Sequence, residues 1–191
     1  MVQLNISSLE YETALAKLKE LVIDPNNIQI HIDFGADHTQ SKIIRDFVGS
    51  IFDFHGIVAP WRGRFILITD ELVNNAIEHG STCGDIDSCI IQAKKDAHGF
   101  FSINLEVHDT GNGKDAALGK DMIAVKISHI EKEKDGVYME KRGRGLFSIT
   151  EKLVDKLSFS ESPKGGLAVR IEKNITQDQY TPEKKKESIQ A

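Results

Sequence analysis

The chain has 191 residues, 40% of them hydrophobic and 28% charged, which favours one domain with a proper core over two. A formal charge of −5 gives no electrostatic reason to bind nucleic acid or an anionic membrane surface. No apolar run approaches the ~20 residues that span a bilayer, and residues 1–10 lack the basic start and apolar core of a signal peptide, so a cytoplasmic protein is expected.

Ser7 or Ser8 is placed to cap a helix over residues 9–22, with Leu15, Leu18, Leu21 and Val22 on one face. Asp24-Pro25-Asn26-Asn27 breaks it. Ile28, Ile30, Ile32 and Phe34 then alternate with Gln29, His31 and Asp33, the period of a half-buried strand. Residues 37–40 offer a new cap for a helix that carries Ile43, Ile44, Phe47, Val48, Ile51 and Phe52 and ends at Gly56. Pro60 leads into a third helix over residues 61–78.

A loop over residues 80–88 precedes two strands, 89–93 and 100–108, joined by a turn at Ala97-His98-Gly99. The two cysteines, Cys83 in that loop and Cys89 where the strand begins, form no CxxC pair and have no matching histidine cluster. Two reduced thiols are therefore expected, and zinc is not. Residues 113–142 are polar and weakly patterned, a length of connection that inside a compact domain is often a lid. A helix over 146–157 and strands over 156–161 and 167–173 close the pattern, the strands flanking the turn 162–166. The polar tail, residues 176–191, is expected to be disordered. There is no internal repeat. The order predicts an α+β two-layer sandwich, helices on one face of a mixed, mostly antiparallel sheet.

Three segments carry chemistry. On the third helix Glu71, Asn75 and His79 recur at steps of four and form one stripe. A carboxylate and a carboxamide are hard oxygen donors that suit Mg²⁺ or a polarised hydroxyl better than zinc. Most charged helix faces are simply solvated, so the stripe needs support from elsewhere. Asp109-Thr110-Gly111-Asn112-Gly113 follows the best strand of the chain. An aspartate there is able to accept from an exocyclic amine such as adenine's while glycine lets backbone approach a flat ligand, although the same pattern also makes ordinary turns. Arg142-Gly143-Arg144-Gly145-Leu146 opens a helix directly, a setting that exposes N–H groups to a phosphate or serves as a plain cap. It is neither a Walker A loop nor a dinucleotide fingerprint.

Taken together and in this order, Glu71 to Ala76, Asp109 to Gly113 and Gly143 to Leu146 resemble the nucleotide boxes of the GHKL superfamily of ATPases. The resemblance covers about residues 27–173, and within the superfamily it is nearest to the anti-sigma-factor serine kinases, whose first box is similar to Asn75-Ala76-Ile77-Glu78-His79-Gly80. It implies a stand-alone ATP-binding domain over residues 27–174, preceded by a helical extension over 1–26 and followed by the tail from 175 to 191. It also implies ATP and Mg²⁺ as cofactors. Asn75 would ligand Mg²⁺, and Glu71 would be the general base that polarises a serine hydroxyl or a water for attack on the γ-phosphate. Asp109 would hold the adenine amine and Gly111 and Gly113 would keep the turn open. Gly143, Gly145 and Leu146 would present backbone to the phosphates, with Lys141 or Arg142 at the γ-phosphate. His79 keeps two readings, a helix-end cap or a ligand.

Two departures stand out. Where the family's last box offers a threonine hydroxyl, this chain has Gly165-Gly166-Leu167-Ala168, which implies weaker nucleotide affinity. The helix over 9–22 precedes the strand at which such domains commonly begin, and packing on the domain, a homodimer contact and occlusion of a partner surface are all open to it. The function the resemblance implies is transfer of phosphate from Mg-ATP to a Ser or Thr of a small antagonist protein, coupled to binding a sigma factor. A nucleotide-gated binding module without kinase activity is the alternative. The catalytic part of a histidine kinase ranks last, because no histidine precedes His31.

Overall fold

The computed structural model describes residues 1–116 and 153–179. In chain order the strands are β1 (Val2–Asn5), β2 (Asn27–Gly35), β3 (Ile86–Lys95), β4 (Phe101–His108), β5 (Lys156–Glu161) and β6 (Leu167–Ile175). The helices are α1 (Tyr11–Glu20), α2 (His38–Phe54) and α3 (Trp61–Asn75). The strands form one sheet in the order β1-β2-β3-β4-β6-β5, antiparallel throughout except for the parallel pair β1 and β2. This is the expected α+β two-layer arrangement. Among the described residues no helix is long and apolar enough to cross a membrane.

Alternation decides which face of the sheet is covered. Ile28, Ile30, Ile32 and Phe34 of β2 are buried, as are Cys89, Ile91 and Ala93 of β3 and Ile103, Leu105 and Val107 of β4. The helices supply the other half of the core. Asp37 caps α2 by accepting from the Thr39 N–H at 2.7 Å, and Ile43, Ile44, Phe47, Val48 and Ile51 then recur at helical spacing and are buried. Gly56, at φ +65°, takes the left-handed conformation that ends the run. Helix α3 buries Trp61, Phe65, Ile68, Leu72 and Val73, and Phe52 of α2 meets Phe65 with ring centroids 5.0 Å apart.

The amino-terminal segment differs from expectation. It is not only a helix: β1 adds a parallel edge strand, with Val2 opposite Ile30 and Asn5 opposite Asp33. Residues 6–9 are consumed in the connection, Leu9 N–H donating to the Ile6 carbonyl, so α1 starts at Tyr11 and neither Ser7 nor Ser8 caps it. Tyr11 donates its hydroxyl to Asp46 of α2 at 2.7 Å, and Lys42 lies 3.6 Å over the Tyr11 ring. Ile6, Ala14 and Leu18 are fully buried in the common core. Leu18→Ala is therefore expected to cost about 2–5 kcal/mol in a urea unfolding titration, as an ordinary core truncation does.

Other boundaries also move. Strand β3 begins at Ile86, so residues 86–88 leave the expected loop and pair with Ser88–His108, Asp87–Phe34 and Ile86–Gly35. Lys156 and Leu157 lie in β5 and not in a helix. Residues 177–179 form a short 3-10 turn. The expected lid beyond residue 116, the helix start at Leu146 and the tail from 180 onward lie outside the described residues. Cys83 is exposed and Cys89 buried, both free, and burial raises the Cys89 thiol far above its ordinary value.

Candidate functional site

The end of α3 is where sequence and structure agree and then part. Asn75 Nδ2 donates to Glu71 Oε1 at 3.3 Å, the (i, i+4) contact that helical spacing predicts. After Asn75 the helix widens into a π turn over Ala76–Gly80. Such turns bond i to i+5, which advances the chain past the four-residue step, and they recur at functional sites. His79 therefore leaves the stripe: its side chain is half exposed and reaches Glu78 Oε2 at 4.0 Å. Its backbone matters more, because the His79 carbonyl packs against Gly113 and Gly113 N–H donates to the Gly80 carbonyl at 3.1 Å. Asn75 donates through its nitrogen and its Oδ1, a hard oxygen donor, takes no hydrogen bond from any described residue.

Asp109 stands at the end of β4, nearly buried. Its Oδ1 accepts from Gly111 N–H at 3.0 Å and Leu167 N–H at 2.9 Å. Its Oδ2 receives no hydrogen bond from a described residue and faces Gly80. Burial raises its carboxyl above the ordinary value, while the two N–H donors pull the other way.

Glycine is required on two sides of that carboxylate and in the turn beside it. A Cβ on Gly80 would stand 2.2 Å from Asp109 Cγ, and one on Gly166 would stand 1.9 Å from Oδ1. Gly111, at φ +74°, runs against Gly166 with 2.8 Å between its Cβ position and the Gly166 Cα. The glycine turn itself is bolted down from the sheet: Lys164 Nζ donates to the Ile86 carbonyl at 2.9 Å and to Asp33 Oδ1 at 3.2 Å. A Cβ on Gly113 would stand 2.0 Å from the His79 carbonyl, so the glycine turn after β4 lies against the end of the first segment. The surroundings of this one oriented carboxylate are thus largely backbone, chemistry that could take a flat base offering an amine.

Beside it lies a polar cluster that motif reading missed. Ser81 donates to Asp87 Oδ1 at 2.5 Å, and Thr110 N–H donates to Ser81 Oγ at 3.2 Å. The Thr110 hydroxyl and Asn112 Nδ2 donate to Asp85, at 2.8 and 3.2 Å to Oδ2. The Thr82 backbone, ahead of these side chains, holds the Asp85 carboxyl down at about 2. Asp87 is fully buried, and burial, with the Asp109 and Asp85 charges behind it, raises its carboxyl to about 6 against the Ser81 hydrogen bond and Lys164. The signal was the alternation of Asp87, Cys89, Ile91 and Ala93, concealed because the strand was expected to start at Cys89.

A carboxyl raised from 3.8 to about 6 is held protonated more firmly in the folded state. Its contribution to stability is complete below pH 3.8 and is lost as pH rises through about 6. Urea unfolding across that range is expected to show Asp87→Asn gaining stability relative to the parent chain as pH rises, with a plateau above.

Of the residues expected at the site, Glu71 and Asn75 meet on α3, and Asp109, Gly111 and Gly113 lie in the turn after β4, which touches His79 and Gly80 just beyond that helix. Lys141, Arg142, Gly143, Gly145 and Leu146 lie outside the described residues. Among the described residues no group of three or more His, Cys, Asp or Glu is arranged to hold a metal by itself. The family model described as the histidine kinase-like ATPase domain matches residues 34–173. No curated protein matches the chain.

Proposed function

Because the chain belongs to the histidine kinase-like ATPase domain family, whose nucleotide is ATP, we propose that it is a serine-protein kinase that also acts as an anti-sigma factor. It passes the γ-phosphate of ATP to a Ser or Thr of a small antagonist protein and exchanges that partner for a sigma factor. One observation carries the reading: the Glu71 carboxylate and the Asn75 carboxamide are hydrogen-bonded on one helix face, next to the turn that holds Asp109.

The site residues fit Mg-ATP. Asp109 Oδ2 would accept from the adenine amine, in a turn whose glycines let backbone close around the carboxylate. Asn75 Oδ1 would hold Mg²⁺, which would supply positive charge to neutralise the phosphates. Glu71 is oriented by the Asn75 amide and takes the proton of the incoming hydroxyl. By the family resemblance Lys141 or Arg142 would meet the γ-phosphate and Gly143, Gly145 and Leu146 would offer backbone to the phosphate chain, all five lying outside the described residues. Phosphoryl transfer depends chiefly on positioning and charge stabilisation, so a base, a cation ligand and a basic return segment are sufficient.

A second reading, a nucleotide-gated binding module, is favoured by the last glycine turn, which offers the Leu167 N–H to Asp109 but no side-chain hydroxyl. Pull-down from the native host with and without ATP, followed by labelled ATP on the captured proteins, separates the two. A captured sigma factor together with label on serine or threonine of a small partner supports the kinase. Tight Mg-ATP binding by calorimetry with no transfer to any captured partner leaves only the module.

A further inference from the structure

A hydrogen-bond chain beneath the Asp109 turn has no part in the metal or phosphate chemistry. It runs from Thr110 N–H to Ser81 Oγ at 3.2 Å and from the Ser81 hydroxyl to Asp87 Oδ1 at 2.5 Å. Ser81 immediately follows the π turn and Thr110 immediately follows Asp109, so the chain joins the end of α3, the end of β4 and the inner face of β3. One step beyond the Ser88–His108 pair, the antiparallel register puts Asp87 opposite Asp109.

The other Asp87 oxygen, Oδ2, is buried and has no hydrogen-bond partner among the described residues, in a side chain with no exposure at all. A half-satisfied carboxylate inside a core is costly, and at a strand position valine would fill the space without that penalty. Buried polar groups left unpaired beside a binding cleft point to use by a ligand site.

We propose that Ser81 and Asp87 are positioning residues for base recognition, holding the Asp109 turn through the Thr110 amide at the depth where Oδ2 meets an exocyclic amine, and so favouring adenine over guanine. The inference rests on the ATP-binding reading of the site. Guanine would present a carbonyl oxygen where adenine presents the amine, opposite Asp109 with a second carboxylate behind it. Asp87 acts through Ser81 and does not touch the base.

Calorimetry with ATP and GTP on the full chain tests this, using Ser81→Ala, Ser81→Thr, Asp87→Val and the Ser81→Ala/Asp87→Val pair. The pair removes the Ser81–Asp87 donor and acceptor together but still leaves the Thr110 N–H without its acceptor, so its melting temperature is expected to be no lower than that of Ser81→Ala alone. Its ATP affinity is expected to fall about tenfold, the loss of one well-placed hydrogen bond. GTP affinity should change little, so the ratio falls with it. Each single truncation should lose as much as the pair, because the links are in series. Ser81→Thr keeps the hydroxyl and should keep the selectivity, which preserves the test if Asp87→Val does not fold. Equal losses for ATP and GTP, or unchanged ATP affinity in Ser81→Ala, would overturn the proposal while leaving ATP binding intact. A parent chain that binds no adenine nucleotide would overturn both.

Discussion

Glu71→Gln is expected to lower phosphotransfer by about 10²–10⁴-fold, the usual worth of a positioned general base, with ATP affinity retained. The amide oxygen of glutamine still accepts from Asn75 Nδ2, a contact now 3.3 Å long, so the geometry of the helix face survives while the proton acceptor is lost. Single-turnover transfer to a captured partner, beside calorimetry with Mg-ATP, reads the two effects separately. An equal fall in both would make Glu71 a binding residue, and undiminished transfer would remove it from the chemistry. Asn75→Ala should show the opposite pattern, losing Mg²⁺-dependent nucleotide affinity first.

Asp109→Asn is expected to weaken ATP binding by about a hundredfold or more, the cost of setting a buried donor against a donor. The substituted amide has little freedom. Gly111 and Leu167 N–H groups converge on Oδ1 at 3.0 and 2.9 Å and hold the amide oxygen there, which turns the NH₂ toward Gly80 where Oδ2 now stands. The adenine amine then meets a second donor. Inosine triphosphate, with an acceptor at that position, is expected to recover part of the loss. The fold should be retained, since burial works against the ionised Asp109 and the amide carries no charge. Calorimetry with the two nucleotides and a urea titration check these outcomes, and weaker binding of both nucleotides to the same degree would mean that Asp109 supports the pocket without reading the base.

Much of the molecule was legible in the chain because its signals are local. Period-two alternation from Ile28 to Phe34 marked β2, and the 3.6-residue recurrence from Ile43 to Phe52 marked α2, with Asp37 as its cap and Gly56 as its end. The Glu71–Asn75 contact follows from helical spacing alone. Strand β1 gave no such signal: four residues with an exposed, mixed pattern become a strand only because β2 offers them an edge. The start of β3 was hidden for a related reason. Asp87 and Ser88 look like loop residues until pairing with β2 and β4 buries them.

The sequence by itself determined the layer architecture, the pairing of Glu71 with Asn75 and the order of the glycine segments, since each depends on spacing within one element or on chain order. Tertiary structure alone decided what those segments enclose. Nothing in the spacing of Gly80, Gly111 and Gly166 says that all three stand within contact of one carboxylate, because their approach is set by where α3, β4 and the β5–β6 turn end in space. The π turn, which frees His79 from the stripe and lays its carbonyl on Gly113, is likewise a product of packing. So is the burial of Asp87, whose environment comes from two neighbouring strands and a serine six residues away in sequence.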